Sequence, residues 1–152
     1  MNAHTVLEPI IPTSAPPQAR LTSIFGALGV AWNLFGVVQL AESLRSTPES
    51  LMAMGMTAAQ AATMTSYPAW MSVGFAVGAI GGLVGSALLW ARHRLATSVL
   101  LASLVGYVVL FVGDITEGVF AALGAPQVMI LSVVVAIACG LWAWARRVTP
   151  RA

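Results

Sequence analysis

Residues 68–113 read PAWMSVGFAVGAIGGLVGSALLWA, then RHR, then LATSVLLASLVGYVVLFVG: two long apolar runs separated by a charged tripeptide. A helix needs about 20 apolar residues to cross a hydrocarbon core about 30 Å thick, at a rise of about 1.5 Å per residue. Both runs are long enough. The link Arg92-His93-Arg94 is so short that the two helices must run antiparallel. This stretch therefore predicts a transmembrane helical hairpin.

Two further apolar runs flank the hairpin, and together the four runs account for most of the 152 residues. Hydrophobic residues make up 59% of the chain and charged residues only 8%, whereas a soluble domain carries about a quarter charged residues. We therefore expect an all-α protein, an integral membrane four-helix up-down bundle. The predicted units are a disordered proline-rich tail (1–20), a membrane domain (21–146) with spans 21–41, 68–91, 95–113 and 127–145, and a C-terminal tail (147–152).

The arginines predict the direction of the spans. All seven basic residues are arginine, and placing the Arg92–Arg94 turn in the cytoplasm leaves only Arg45 outside. Short loops on the cytoplasmic side of a membrane carry an excess of basic residues. We expect both termini to be cytoplasmic and the protein to lie in a bacterial inner membrane. The arginines stand at helix ends rather than in one patch, which argues against nucleic acid as a partner.

The loop between the first two spans carries signals for helix starts. Thr47-Pro48 is typical of an N-cap followed by proline at the first helical position. Thr57 and Gln60 have the spacing of a capping box, in which each side chain can satisfy the other's free backbone N–H. We predict two short helices, 48–54 and 58–65, lying on the outer membrane surface.

The loop between the last two spans is shorter. Asp114 and Glu117 have a looser capping-box spacing, which predicts a short helix that begins there. Gly124-Ala125-Pro126 follows and is expected to break the chain before the fourth span.

Small residues recur along the first two spans at intervals of three or four. Glycines spaced in this way lie on one helix face and let two helix backbones approach closely. They indicate either packing within the bundle, where the two glycine faces meet each other, or an interface with a second copy or another membrane protein. These candidate packing residues are Gly26, Gly29, Gly36, Gly74, Gly78, Gly81, Gly82 and Gly85.

Polar and aromatic residues collect where the predicted spans meet the outer surface, and they could line a polar path or outer mouth. The set is Asn33, Gln39, Glu42, Arg45, Tyr67, Trp70, Asp114 and Glu117. Carboxylates there could attract a cation or exchange a proton. The simpler interpretation is structural: Asn33 and Gln39 make interhelical hydrogen bonds, Glu42 pairs with Arg45, and Asp114 and Glu117 cap the loop helix.

No cofactor and no catalytic role are expected, because the chain has no phosphate-binding loop, no nucleophile elbow and no zinc-type cysteine and histidine spacing. Met52, Met54 and Met56 could hold Cu(I) through their soft thioethers. Methionines on an interfacial helix can equally bury in the headgroup boundary. We favour the second interpretation and predict no metal.

Three short motifs resemble a family of small uncharacterised bacterial four-span membrane proteins. They are Trp32-Asn33-x-x-Gly36, Pro68-Ala-Trp70 and Gly81-Gly82-x-x-Gly85, which cover the first three spans. Members are sometimes labelled sugar transporters by automatic transfer. The chain departs from the family at Val37 and Val38, where an aromatic residue is expected. The resemblance implies the four-span fold, and it carries over no function residue by residue.

Two functions follow from the sequence. The first is a non-catalytic accessory or interaction subunit that packs against itself or another membrane protein through its glycine faces. The alternative is a small transporter or carrier for a small solute or cation that uses the outer mouth. Carriers usually place charges or broken helices near the middle of the membrane. The absence of both here favours the accessory subunit.

Overall fold

The computed structural model describes residues 17–149, and within this range the chain is helical throughout its regular elements. Seven helices follow one another along the chain: α1 (Pro17–Arg45), α2 (Pro48–Ala53), α3 (Ala58–Thr65), α4 (Ala69–Trp90), α5 (Ala96–Thr116), α6 (Val119–Leu123) and α7 (Ala125–Val148). Four of them, α1, α4, α5 and α7, are long and apolar enough to cross a membrane. The all-α, four-helix prediction is confirmed, and the chain is a multi-pass membrane protein.

The first and last spans are longer than the sequence predicted. Helix α1 begins at Pro17, inside the stretch assigned to the tail, and continues to Arg45. Proline is tolerated there because the first turn of a helix has no partner for its backbone N–H groups. Helix α7 likewise continues to Val148, into the predicted C-terminal tail. The rest of the two predicted tails, residues 1–16 and 150–152, lies outside the described residues.

The two short helices predicted between the first two spans are confirmed as α2 and α3. At the start of α2 the backbone N–H of Thr47 donates to Ser50 Oγ (2.9 Å), and the N–H of Ser50 donates to Thr47 Oγ1 (3.2 Å). At the start of α3, Thr57 and Gln60 form the capping box that their spacing indicates, at 3.0 and 3.3 Å. Gln60 also donates through Nε2 to the carbonyl of Ala122 (3.3 Å), which ties α3 to α6.

The predicted capping box at Asp114 is wrong. Helix α5 continues to Thr116, so Asp114 lies in its last turn. The next helix, α6, is preceded by Gly118 at φ 72°, and no side chain caps it. A glycine in this left-handed conformation is a common way to end a helix, because it has no Cβ to clash. The break before α7 is as predicted, with Gly124 at φ 74° and Pro126 in the first turn.

The acidic residues of the described part lie at one end of the bundle, and all its arginines except Arg45 lie at the other. The arginine end is defined by Arg20, Arg92, Arg94, Arg146 and Arg147; the acidic end is defined by Glu42, Glu49, Asp114 and Glu117. Helices α2, α3 and α6 connect the long helices at the acidic end. At the arginine end the only connection among the described residues is the short α4–α5 turn.

Helix α4 is the centre of the bundle, with α1 packed along one side and α5 along the other. Its contacts with α1 are close: a Cβ added to Gly26 would lie 2.7 Å from the Cα of Trp90, and one added to Gly29 would lie 2.6 Å from Ser86 Oγ. Gly82 in turn contacts Asn33. Small residues therefore set the distance between α1 and α4.

The contact between α4 and α5 is equally tight. A Cβ on Gly106 would lie 2.6 Å from the backbone nitrogen of Gly78, and one on Gly78 would lie 2.7 Å from the Tyr107 ring. Gly85 lies against Leu100, and Gly113 lies against Met71. The glycines of the second span thus face two neighbours, α1 and α5, within one chain.

Helix α7 completes the bundle by packing on α5, with side chains of ordinary size. Two apolar clusters stabilise this side, one near each end of the bundle. The arginine-end cluster contains Leu89, Ala96, Leu100, Leu141 and Ala145; the acidic-end cluster contains Met71, Leu110, Val119 and Leu131. In contrast, α1 and α7 make few contacts with each other. A cleft therefore follows the line between these two helices.

Gly106→Ala should lower the free energy of unfolding by about 1–3 kcal/mol, because its Cβ would meet backbone atoms of α4 that cannot move aside. Gly140→Ala is the matched control: Gly140 is also in a long helix, and an added Cβ there has nothing within 4 Å. Denaturant or thermal unfolding in a mild detergent measures both. Equal stability of the two variants would contradict the close approach of α4 and α5.

Candidate acidic-end cavity

A cavity of about 230 Å³ opens at the acidic end, between α1, α5 and α7. Its polar lining comes from Gln39 and Ser43 on α1, Asp114 on α5 and Gln127 on α7. Tyr67, in the segment between α3 and α4, also lines it. Aromatic and aliphatic side chains form the rest of the wall, among them Trp32, Phe35, Phe75 and Tyr107. Concave, mostly apolar sites with a few convergent polar groups are typical of small-molecule binding sites.

Asp114 is the most unusual group in this cavity. Its position on α5 follows the buried stripe of Ser103, Tyr107 and Leu110, so the carboxylate points into the bundle and is 0% exposed. One oxygen, Oδ2, accepts a hydrogen bond from Gln127 Nε2 at 2.9 Å. The other, Oδ1, is buried with no hydrogen-bond partner among the described residues. An unsatisfied buried polar atom costs about 1–3 kcal/mol, and more if it is charged, so it calls for an explanation.

Gln127 reaches the carboxylate because of how α7 begins. The chain leaves α6 through Gly124 and enters α7 at Ala125, with Pro126 fixing the first turn. This places Gln127 within the first turn of α7, level with the last turn of α5. The hydrogen bond between Gln127 and Asp114 is thus a polar link between these two helices at the cavity wall.

Tyr67 is half-buried beside this pair. Its hydroxyl donates to the thioether sulfur of Met64 at 3.1 Å rather than to the carboxylate. Burial, together with the nearby carboxylate of Asp114, raises the pKa of Tyr67 above its ordinary value, because both disfavour the tyrosinate anion. The phenol therefore stays protonated, and its hydroxyl is available as a donor.

Below the cavity a set of buried polar side chains continues towards the middle of the bundle. Tyr107, which lines the cavity, donates to Asn33 Oδ1 at 3.4 Å. Asn33 is 2% exposed and donates to the carbonyl of Gly29 at 2.8 Å and to Ser86 Oγ at 3.4 Å. Another buried hydrogen bond joins α5 to α4, since Ser103 Oγ donates to the carbonyl of Gly78 at 2.6 Å. Asn33 therefore makes interhelical hydrogen bonds and also lies next to the cavity.

The structure brings together only part of the polar set that the sequence indicated. Gln39, Tyr67 and Asp114 line the cavity, and Asn33 is one hydrogen bond away from it. The remaining members are exposed and do not line it: Glu42, Arg45, Trp70 and Glu117. Within the described residues, Asp114 is thus the one acidic group of the cavity.

Two important residues were not singled out from the sequence. Gln127 was placed only as the first residue of the fourth span, and Tyr107 is one of two aromatic residues in the third. A signal for Tyr107 exists: Leu100, Ser103, Tyr107 and Leu110 recur at intervals of three or four, which is the period of a buried helix face. No sequence motif around Gln127 predicts its hydrogen bond with Asp114, because that contact depends on where α5 ends.

The three methionines proposed as an alternative copper site lie away from this cavity. Met52 and Met54 are exposed, and Met56 is partly exposed. Among residues 17–149 no group of three or more histidine, cysteine, aspartate and glutamate side chains is placed to hold a metal ion.

Comparisons of the chain with protein-family models, curated proteins and solved structures find no match. The resemblance to a family of small bacterial membrane proteins therefore stays a prediction. Any functional conclusion rests on the residues of the cavity themselves.

The free energy of unfolding should fall as the pH rises above about 10, the ordinary pKa of tyrosine. Above that value the unfolded chain loses the Tyr67 proton while the folded protein, with its raised pKa, retains it. Tyr67→Phe should remove this part of the pH dependence. Asp114→Asn should lower the pKa of Tyr67, because one of the two causes of the shift is gone.

Alkaline titration of the tyrosinate absorbance, taken as the difference between the protein and Tyr67→Phe, measures this pKa directly. An ordinary tyrosine pKa in the unmodified protein would show that Tyr67 is neither buried nor near the carboxylate.

Proposed function

We propose that this protein is a small membrane carrier that binds a small organic cation in the acidic-end cavity. The observation that supports this most is the buried Oδ1 atom of Asp114, which has no hydrogen-bond partner among residues 17–149 and belongs to a side chain that lines the cavity. A cation in the cavity would compensate the charge of this carboxylate, whether or not it carries an N–H donor. Accordingly, the carrier that the sequence offered as its second possibility becomes the better-supported function.

The rest of the lining fits a cation. Aromatic faces attract cations, and five aromatic side chains line the cavity: Trp32, Phe35, Tyr67, Phe75 and Tyr107. Among residues 17–149 no arginine lines it, so a cation would meet no like charge from them there. A volume of about 230 Å³ limits the occupant to a small molecule. Carboxylate, aromatic wall and size together favour a small organic cation over a sugar or a bare metal ion.

Passage through the membrane needs polar groups beyond the cavity. Tyr107 and Asn33 provide them, because their hydrogen bond connects the cavity wall to the middle of α1. Helix α1 makes few contacts with α7, so the bundle is loosely packed on the side that these polar groups border. We infer that the occupant moves along this side of the bundle.

Asp114→Asn should reduce uptake of tetramethylammonium into proteoliposomes by about tenfold or more, because a charge-assisted interaction with the bound cation is lost. Tetramethylammonium is permanently charged and cannot cross the bilayer as a neutral amine. Glu117→Gln is the matched control, since Glu117 is exposed at the same end and does not line the cavity. It should transport as the unmodified protein does.

Two results would contradict the carrier function. One is uptake no faster than into protein-free vesicles; the other is equal loss of uptake in Asp114→Asn and Glu117→Gln. Glucose uptake, measured in parallel, tests whether the protein is a sugar transporter, as some members of the resembling family are labelled. Thermal unfolding of each variant in detergent verifies that loss of transport is not loss of fold.

We also propose that the protein lies in a bacterial inner membrane with its arginine end in the cytoplasm. Support comes from the concentration of arginines at that end and of acidic residues at the other. Both termini would then be cytoplasmic, and the acidic-end cavity would open from the outer side. A carrier in this orientation would take up its cation from outside the cell.

Cysteine labelling should confirm this orientation. In a Cys139→Ala background, Glu117→Cys should react with a membrane-impermeant maleimide added to cells whose outer membrane has been made permeable. Thr149→Cys should react only after the inner membrane is disrupted. The reverse pattern would place the arginine end outside.

An accessory or interaction subunit, without catalytic activity, remains the alternative proposal. It has less support because the glycine faces that would bind a partner are covered by helices of the same chain: Gly26 by Trp90, Gly78 by Tyr107 and Gly85 by Leu100. A homo-oligomer or a complex with another membrane protein would have to use a different surface.

A further inference from the structure

A second, larger cleft follows α1 and α7 towards the arginine end. Its volume is about 820 Å³, and its wall is apolar, with Phe25, Leu28 and Phe35 on α1 and Ile137 and Trp144 on α7. The cleft exists because small residues, including Gly140 and Ala143, face it, and because α1 and α7 touch there mainly through Phe25 and Trp144, whose ring centroids are 4.9 Å apart.

The length of this cleft along the two helices can be compared with the thickness of the membrane. It extends from Phe25 to Phe35 on α1 and from Ile137 to Arg147 on α7, which is ten residue-to-residue steps along each helix. At about 1.5 Å per residue this is about 15 Å, which is half of a hydrocarbon core about 30 Å thick. The cleft therefore has the depth of one lipid leaflet, whereas a helix from a second copy would need a groove of the full thickness.

The mouth of the cleft is positively charged. Arg147 is the one charged residue that lines it, and the same arginine also lines an adjoining recess of about 270 Å³ together with Arg92. Among the described residues the guanidinium of Arg147 makes no hydrogen bond. Its neighbour Arg146 is directed elsewhere, with Cζ 4.7 Å from the centroid of the Trp142 ring.

Arg92 occupies a position that its backbone does not favour. Its φ of 56° lies in the left-handed region where glycine is usual at the end of a helix. Its Nη2 donates to the carbonyl of Ala19 on α1 at 3.0 Å, which directs the side chain across to α1 and into the recess that Arg147 lines. Two guanidinium groups thus border one recess at the end of an apolar cleft.

We propose that this cleft is a binding site for one anionic phospholipid, whose acyl chains lie between α1 and α7 and whose phosphate group lies between Arg147 and Arg92. Basic pockets between transmembrane helices are typical sites for anionic headgroups. One guanidinium group can donate two parallel hydrogen bonds to the oxygens of a phosphate. The proposal does not rest on the carrier function, and Trp32 and Phe35 line both the cleft and the acidic-end cavity. It would fill the gap between two helices that make few contacts of their own.

Native mass spectrometry of the full chain in detergent tests this site. The protein is titrated with phosphatidylglycerol and, in parallel, with phosphatidylcholine of identical acyl chains. We expect one phosphatidylglycerol per chain, retained at lipid concentrations where phosphatidylcholine is not. Equal retention of the two lipids would overturn the proposal, because it would show that the headgroup charge is not recognised.

Arg147→Gln should weaken binding of phosphatidylglycerol by about fivefold, the effect typical of one arginine near an anionic headgroup. Arg146→Gln removes the same charge from the next position, outside the cleft, and should retain the affinity of the unmodified protein. Equal weakening by both variants would indicate general attraction to a basic surface and would overturn the site.

Gly140→Leu tests the cleft independently of charge. A Cβ at Gly140 has open space around it, so the larger side chain should fill the cleft without disturbing the bundle. Binding of phosphatidylglycerol should then be lost while thermal stability in detergent is retained. Unchanged lipid binding in Gly140→Leu, or a dimer that this variant abolishes, would assign the cleft to another occupant and overturn the proposal.

Discussion

The close approach of α4 to both of its neighbours is the constraint on which the rest of the structure depends. Apolar helices in lipid gain little from hiding apolar surface from one another, so they associate through van der Waals contact and interhelical hydrogen bonds. Glycines on α4 provide this contact on two sides. Gly82 admits Asn33 of α1, and Gly78 admits the Tyr107 ring of α5. Larger residues at these positions would separate the helices and break the polar contacts between them.

Because α1 packs on α4 and α7 packs on α5, helices α1 and α7 make few contacts with each other. Helix α7 packs on α5 through two apolar clusters, so the two outermost helices of the bundle are α1 and α7. Neither carries a continuous small-residue face towards the other. The space between them holds both the acidic-end cavity and the arginine-end cleft, with Trp32 and Phe35 lining each. Tight packing in one half of the molecule thus leaves binding space in the other.

The sequence was sufficient for the parts of the fold that depend on local signals. Four apolar runs predicted four long helices, and Thr47 and Thr57 marked the starts of the two short ones. It was not sufficient for Asp114. If α5 ended a few residues earlier, Asp114 could cap the next helix. Because α5 continues to Thr116, Asp114 is instead buried in its last turn. Helix ends are the least certain feature of a sequence-based prediction. The partner glycines of α5, Gly106 and Gly113, stand seven residues apart and lack the three- and four-residue spacing of the α4 glycines, so the sequence does not mark them as packing residues.

The hydrogen bonds around Asp114 support the proposed binding role. A carboxylate buried only for stability would be expected to have both oxygens satisfied, since an unpaired one costs free energy. Gln127 supplies one donor, and a second is close by in the hydroxyl of Tyr67. Yet that hydroxyl donates to the sulfur of Met64, a weak acceptor, and leaves Oδ1 unpaired. The arrangement stabilises the bundle less than it could, and the unpaired oxygen belongs to a side chain that lines the acidic-end cavity.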